Sequence, residues 1–262
     1  MDNRPIGIFD SGIGGLSVLH EAMKTLPNEK YLYYEDLDNV PYGTKTKEQI
    51  KQHVDAAVAF MVQKDVKAIV IACNTATSVD IESLRERYTI PIIGMEPAVK
   101  PALDIEKEKR VMLLATPVTV REKKLHTLLE NIDTNHRVDL VALPELVNFA
   151  EKEEFDTSEV IQYLKENLQQ YKLENYGTVV LGCTHFGYFK PAIQQVFYNQ
   201  VQLIDGNHGT VQRLKEILEE QKENGENQLS VEYFISGRKV EDTQALEKMQ
   251  RLHQRLEEML SI

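Results

Sequence analysis

Cysteine is nearly absent from this 262-residue chain: it has two, Cys73 and Cys183. They form no CxxC pair, which removes the usual metal-ribbon and dithiol redox readings. Long apolar runs are missing too, the longest lasting only a handful of residues, too few to span a bilayer. The start, Met1-Asp2-Asn3-Arg4, enters a strand-like run without the apolar segment of a signal peptide. The expectation is a cytoplasmic protein, where a reducing environment disfavours a Cys73–Cys183 disulfide. Positive charge is in deficit, 30 Lys and Arg against 41 Asp and Glu, giving −11 at pH 7. General affinity for nucleic acid or an anionic membrane is therefore not expected. No low-complexity tract suggests disorder, and 42% hydrophobic residues suffice for a packed core.

What the chain does have is a repeated placement. Cys73 follows Ala68-Ile69-Val70-Ile71-Ala72, and Cys183 follows Thr178-Val179-Val180-Leu181-Gly182. Each thiol thus stands at the carboxyl end of a buried strand, where open α/β sheets bind ligands. Taken singly, each reads as an inert buried thiol, since free Cys is among the most buried residue types. Two thiols in equivalent polar loops, one per half of the chain, point instead to similar groups acting on opposite sides of one atom.

Strand-then-helix units run throughout. Strands are predicted at Ile6–Phe9, Tyr31–Tyr34, Pro91–Gly94, Arg110–Ala115, Val138–Ala142 and Val201–Ile204, besides the two cysteine strands. Helices are predicted from Leu16 to about Thr25, Lys47 to Gln63, Asp80 to Tyr88 and Ser158 to about Tyr171. In the second of these, Ile50, Val54, Val58 and Met61 share one face. Such alternation predicts an α/β fold, with mainly parallel sheets flanked by helices and right-handed crossovers. The series restarts near residue 98, so two similar domains are expected, with the active site between them. The polar stretch Glu219 to Gln228 reads as a loop. Strand Val231–Ile235 and helix Glu241–Met259 are assigned back to the first half. The expected domains are 1–97 with 209–262, and 98–208.

The first strand leads into Asp10-Ser11-Gly12-Ile13-Gly14-Gly15. Glycines permit a tight turn and let backbone N–H groups face an anion. A dinucleotide loop is the obvious rival, with Asp36 as its ribose acid. Its third glycine is replaced by Ser17, and an Asp opening the loop has the wrong sign beside a pyrophosphate. Pro41-Tyr42-Gly43 and Thr116-Pro117-Val118-Thr119 are turn-like strings after strands, placed to wall one pocket. Of seven histidines only His185 stands beside a candidate thiol, and His can move protons near neutral pH. Glu151 opens an acidic cluster of the kind that usually forms a solvated face; its residue context alone does not select it.

Together these strings resemble the glutamate racemases of the cofactor-independent aspartate/glutamate racemase superfamily. The matching elements are Phe9-Asp10-Ser11-Gly12-Ile13-Gly14-Gly15-Leu16, Pro41-Tyr42-Gly43, Ala72-Cys73-Asn74-Thr75-Ala76-Thr77 and Leu181-Gly182-Cys183-Thr184-His185-Phe186. They run in order through nearly the whole chain. The resemblance implies glutamate enclosed between two α/β domains, with Cys73 and Cys183 as the acid/base pair. It further implies that Asp10 assists Cys73, and that Glu151 and His185 assist Cys183. Asp10, Ser11, Tyr42, Gly43, Asn74, Thr75, Thr184 and His185 would hold substrate, with Thr116 and Thr119 as neighbours. Glu151 enters through the similarity of Pro144-Glu145-Leu146-Val147-Asn148-Phe149-Ala150-Glu151 to a family segment ending in Val-Glu. The chain departs from the family in two places. Asp36-Leu37-Asp38-Asn39 replaces a common Asp-Thr-Ala-Arg, and Gly187 stands where Pro is usual.

A two-thiol site suits inversion at an α-carbon: one group removes the proton, and another returns one from the opposite face. A thiol with pKa of about 8.5 has both protonation states within reach. A carboxylate repels a thiolate, so Asp10 is not expected to lower the pKa of Cys73. Asp10 is expected instead to accept the thiol proton or to neutralise the substrate ammonium. Helix N-termini after each loop are expected to favour thiolate and substrate carboxylates. No cofactor or metal is implied: neither cysteine strand end carries a Schiff-base lysine. A homodimer is a candidate assembly, the sequence leaving the oligomeric state open. Two other readings remain beside D-glutamate supply for peptidoglycan. One is a racemase of aspartate or another acidic amino acid; the other is a non-catalytic amino-acid-binding regulatory protein.

Overall fold

The computed structural model describes residues 2–221 and 228–262. Among these residues, two sheets carry the architecture. The first contains β1 (Ile6–Asp10), β2 (Lys30–Glu35), β3 (Ala68–Ile71), β4 (Ile92–Gly94), β9 (Ser230–Ile235) and β10 (Arg238–Lys239), in the order β10-β9-β2-β1-β3-β4. The second contains β5 (Arg110–Ala115), β6 (Val138–Ala142), β7 (Tyr176–Gly182) and β8 (Gln202–Asp205), in the order β6-β5-β7-β8. Every pairing is parallel except that of β9 with β10. Strand β9 lies beside β2, so this late strand joins the first sheet.

Both faces of each sheet are covered, which is why the strands read as unbroken apolar runs. On β1, Ile6 and Ile8 enter a core shared with Leu114 of β5 and Leu181 of β7, while Phe9 points the other way. The shared core also takes Leu19 of α1 (Leu16–Thr25), Val211 of α10 (Asn207–Gln221) and Leu252 of α11 (Thr243–Met259). The opposite face of the first sheet packs on α2 (Lys47–Gln63), through fully buried Val54, Val58 and Met61. The second sheet's other face takes Val99 of α4 (Val99–Ile105) and Leu125 of α6 (Lys123–Ile132). Helix α2 begins with a capping box in which Thr46 and Gln49 each satisfy the other's backbone N–H.

Two expectations need correction. Helix α3 starts at Asn74, not Asp80, and runs to Arg87. Its polar, β-branched opening, Asn-Thr-Ala-Thr, has low helix propensity. The turn forms because the Cys73 sulfur accepts the Ala76 N–H and several of its side chains bond into the core. The stretch Glu219–Gln228 is not all loop: its first three residues belong to α10, and residues 222–227 lie outside those described. Among the described residues, no helix is long and apolar enough to cross a membrane.

Candidate active site

Strand carboxyl ends of both sheets meet around the two thiols. Cys73 follows β3 and Cys183 follows β7, and both are almost fully buried, 5% and 7% exposed. Cys73 is the N-cap of α3: its sulfur accepts the Ala76 N–H at 3.4 Å and donates to Ser11 Oγ at 3.7 Å. Burial pushes its thiol pKa far up, and the Asp10 carboxylate adds to the rise. The Ala76 N–H opposes this without overcoming it. The helix start favours the Cys73 thiolate, as expected, but burial and Asp10 outweigh it.

Cys183 has a different neighbour. It precedes a 3-10 segment, Thr184–Phe189, which turns His185 back so that Nδ1 lies 3.8 Å from the Cys183 sulfur. The other ring nitrogen, Nε2, lies 2.7 Å from Glu151 Oε1. Burial works against charge on His185, but contacts with Cys183 and Glu151 prevail and hold its pKa well above the usual value. Glu151 closes α7 (Glu145–Glu151), and the same oxygen also accepts the Ile13 N–H at 3.0 Å. Burial favours its protonation, yet the His185 contact holds its carboxyl below the ordinary value. The result is an imidazole whose charged form is favoured, anchored by a carboxylate and with its other nitrogen turned toward sulfur.

Asp10 interlocks the two halves. It is fully buried at the end of β1, accepting the Gly12 N–H at 3.2 Å and the Thr184 hydroxyl at 3.2 Å. Burial pushes its carboxyl up to about 6, with His185 and the Gly12 N–H opposing. The glycine loop supplies N–H groups to anions as expected, but here to the protein's own Asp10 and Glu151. Its glycines also permit close approach. A Cβ on Gly12 would stand 1.9 Å from Glu151 Oε1, and one on Gly14 would stand 2.4 Å from Thr184 Oγ1.

Most of the remaining sequence-predicted residues gather in the same region. Thr75 Oγ1 lies 2.9 Å from Thr116 Oγ1 and 3.5 Å from Thr119 Oγ1, which ties α3 to the start of α5 (Pro117–Arg121). Gly43 abuts Thr116, 2.6 Å from where its Cβ would lie. Asn74 donates to the Met95 carbonyl at 3.0 Å and leaves Oδ1 buried without a partner. A cavity of about 100 Å³ touches Asn74, Thr77, Met95 and Thr119, although neither cysteine lines it. The Tyr42 hydroxyl is committed to Asp36 at 2.6 Å, and its buried ring packs near Phe9 and His53. Asp36 also accepts from Asn39 and Ser236, so the ribose role of the dinucleotide rival is taken by internal contacts. Asp38 pairs with Arg238 through two bonds of 2.7 and 2.9 Å on the surface. The charge gained there is answered locally. Gly187 borders a separate cavity of about 220 Å³ with Ser17, Lys190 and Leu256.

Sequence reasoning missed the supports beneath the glycine loop. Tyr33 OH donates to the Gly12 carbonyl at 2.7 Å and Tyr188 OH to the Ile13 carbonyl at 3.1 Å. Glu35, only 1% exposed, lies beside Asp10 in the β1–β2 register. The signal was a tyrosine and a carboxylate at alternate, inward positions of β2, where a polar tip needs a partner.

Residues 14–214 match the family model described as Asp/Glu/Hydantoin racemase. The chain is 50% identical to a glutamate racemase of Lachnospira eligens, over 98% of this chain and 99% of that one. It superposes on the crystal structure of glutamate racemase isoform RacE1 from Bacillus anthracis with a TM-score of 0.81. That match has 30% identity over 90% of this chain and 89% of the other. Glutamate racemase of Francisella tularensis, crystallised with D-glutamate, gives a TM-score of 0.81 at 28% identity, over 97% and 95% of the two chains.

Proposed function

The chain belongs to the Asp/Glu/hydantoin racemase family, and from that premise we propose that it interconverts L- and D-glutamate by proton transfer between two thiols. The observation that carries this reading is the pairing of unlike environments around like groups. Cys183 faces an imidazolium, whereas Cys73 is buried beside a carboxylate. Like thiols in unlike surroundings suit one to act as base while the other acts as acid.

With L-glutamate bound, Cys183 takes the α-proton and becomes a thiol. The electron pair left on the α-carbon takes the proton of Cys73 from the opposite face, leaving a Cys73 thiolate and D-glutamate. The reverse reaction begins with Cys73 as the base. Asp10 supports that state by accepting its thiol proton or by balancing the substrate ammonium. Ser11, Asn74, Thr75 and Thr184, with Tyr42, Gly43, Thr116, Thr119 and His185, form the binding wall. Residues 1–97 with 209–262 form one lobe and 98–208 the other, a division supported by the pairing of β9 with β2. No cofactor or metal enters the proposal. The protein is read as cytoplasmic, without nucleic-acid partners, supplying D-glutamate to peptidoglycan. A homodimer is the assembly to test by sedimentation velocity.

The test uses protein dialysed against chelator and incubated with L-glutamate in deuterated water. Loss of the α-proton signal and decay of circular dichroism to zero are expected together. Activity that returns only with pyridoxal phosphate or a metal would overturn the mechanism. Faster turnover of L-aspartate would move the substrate assignment, and saturable binding without exchange would leave a binding protein.

A further inference from the structure

Tyr33 is a fully buried residue of β2 that the two-thiol mechanism does not use. Its ring lies in the shared apolar core, edge-on to Tyr233 of β9 with centroids 6.1 Å apart. Its hydroxyl donates to the Gly12 carbonyl at 2.7 Å. That carbonyl and the Ile13 N–H are the two ends of one planar peptide unit, so fixing one end fixes the other. The Ile13 N–H donates to Glu151 Oε1 at 3.0 Å, and the same oxygen lies 2.7 Å from His185 Nε2. His185 Nδ1 in turn lies 3.8 Å from the Cys183 sulfur. A hydroxyl on the first sheet is thus joined to the thiol after β7 through one peptide, one carboxylate and one imidazole.

We infer that Tyr33 is a positioning residue for His185: its hydroxyl fixes the Gly12–Ile13 peptide so that the Ile13 N–H holds Glu151 Oε1, and with it the imidazole that faces Cys183. The inference rests on the two-thiol racemase reading. Among the described residues, Oε2 of Glu151 has no hydrogen-bond partner, so the hydrogen bonds that place this carboxylate fall on Oε1. A hydrogen bond at the carbonyl end of a peptide also polarises it and strengthens the donor at the other end. The loop leaves room for the hydroxyl, since a Cβ on Gly15 would stand 3.0 Å from it. Burial, with the Asp10 and Glu35 carboxyls adding to it, holds the Tyr33 hydroxyl well above its ordinary range, so it stays a donor. Tyr188 makes a similar bond one residue on, from its hydroxyl to the Ile13 carbonyl at 3.1 Å. That carbonyl belongs to the next peptide, whose N–H is that of Gly14, so Tyr188 supplies a control within the same loop.

The test is a double-mutant cycle of Tyr33→Phe with Glu151→Ala, read by steady-state kinetics on L-glutamate. Tyr33→Phe keeps the ring and removes the hydroxyl. It should lower kcat by about fivefold, the size of one buried hydrogen bond, with KM changed by less than about twofold. In the Glu151→Ala background the Ile13 N–H has no carboxylate to hold, so the same substitution should change kcat by less than about twofold. Tyr188→Phe in otherwise wild-type protein should cost less kcat than Tyr33→Phe does. An equal fold loss from Tyr33→Phe with and without Glu151 would overturn the inference, because the hydroxyl would then be supporting the loop and not the carboxylate. So would a Tyr33→Phe enzyme with wild-type kcat. If Glu151→Ala does not fold or is too slow to assay, the two tyrosines decide: equal losses overturn the inference, and a larger loss from Tyr33→Phe upholds it. Absence of racemisation by the wild type would defeat the underlying reading instead, so the two failures are distinguishable.

Discussion

The Cys73 and Cys183 loops are alike in sequence placement and unlike in chemistry. Cys73 caps a 14-residue helix and meets a backbone N–H, a serine hydroxyl and a nearby carboxylate. Cys183 begins a 3-10 turn and meets an imidazole held by Glu151. A reaction that is symmetric in its substrates does not require symmetric bases. In the proposed two-thiol reaction one group must take a proton while the other gives one, and the unequal surroundings suit that division. The helix start beside Cys73, the more conventional thiolate stabiliser, is outweighed by burial and Asp10. At Cys73 burial decides more than the helix start does.

The largest effect should come from removing either thiol. Cys73→Ala and Cys183→Ala should each abolish detectable racemisation in both directions, since each direction needs one thiol to take the proton and the other to return it. Unchanged far-ultraviolet circular dichroism should accompany both losses. Appreciable racemisation by either variant would show that the comparison of two thiols is the wrong one to draw.

The unequal surroundings should then separate the two directions. His185→Asn removes the cation beside Cys183 and should lower L-to-D kcat by about 10²–10⁴, the usual contribution of a proton-transfer group. Enantiomers have equal free energies, so kcat/KM must remain equal in the two directions, and the asymmetry appears in kcat and KM separately. On the other side, the Asp10 carboxyl sits at about 6. As pH falls through 6 it gains a proton, can no longer accept one from Cys73, and D-to-L kcat should decline. Asp10→Asn should lower that kcat at neutral pH and remove this limb. The stability sign is opposite. A carboxyl raised from its unfolded value holds its proton longer when folded, so stability falls as pH rises from about 4 to about 6. Asp10→Asn should therefore melt above wild type at pH 7 and level with it near pH 3.5. Equal melting temperatures at both pH values would place the Asp10 carboxyl nearer its ordinary range.

How much of this was legible varied with how local the cause was. Cys73, Cys183, Asp10 and His185 declare themselves because they end or follow apolar strands, and a strand end in an α/β sheet is a local fact. Glu151 does not: it sits in an acidic run, and its partner Ile13 is 138 residues away. Only resemblance to a family brought it forward. The start of α3 was hidden because its first turn is held by tertiary bonds from Asn74, Thr75 and Thr77, against its propensities. The glycines were legible as a tight loop, but not as the contact surface for Glu151 and Thr184, which depends on the second sheet. The Asp38 departure looked like a change of charge near substrate. Its pairing with Arg238 needed the β9–β10 hairpin, far along the chain, to be placed beside it.

The smallest effect concerns how the halves are fastened on each side. Beside Cys183 the fastening involves charge: Glu151 takes the Ile13 N–H, and Asp10 takes the Thr184 hydroxyl. Beside Cys73 it is neutral, a hydroxyl cluster of Thr75, Thr116 and Thr119. Hydrogen bonds to ionised groups contribute about twice as much as neutral ones. Thr75→Val keeps the shape and removes one hydroxyl, so it should cost about 0.5–1.5 kcal/mol of unfolding free energy. Thr116 still reaches Thr119 at 3.1 Å, so the cluster should not collapse. KM should rise by a few fold in both directions alike, because the hydroxyl moves no proton, and kcat should hold. Urea titration with steady-state kinetics on both enantiomers checks this. A loss of kcat confined to one direction would mean that the hydroxyl cluster takes part in the proton path of Cys73, and the neutral fastening would have to be counted among that side's chemistry.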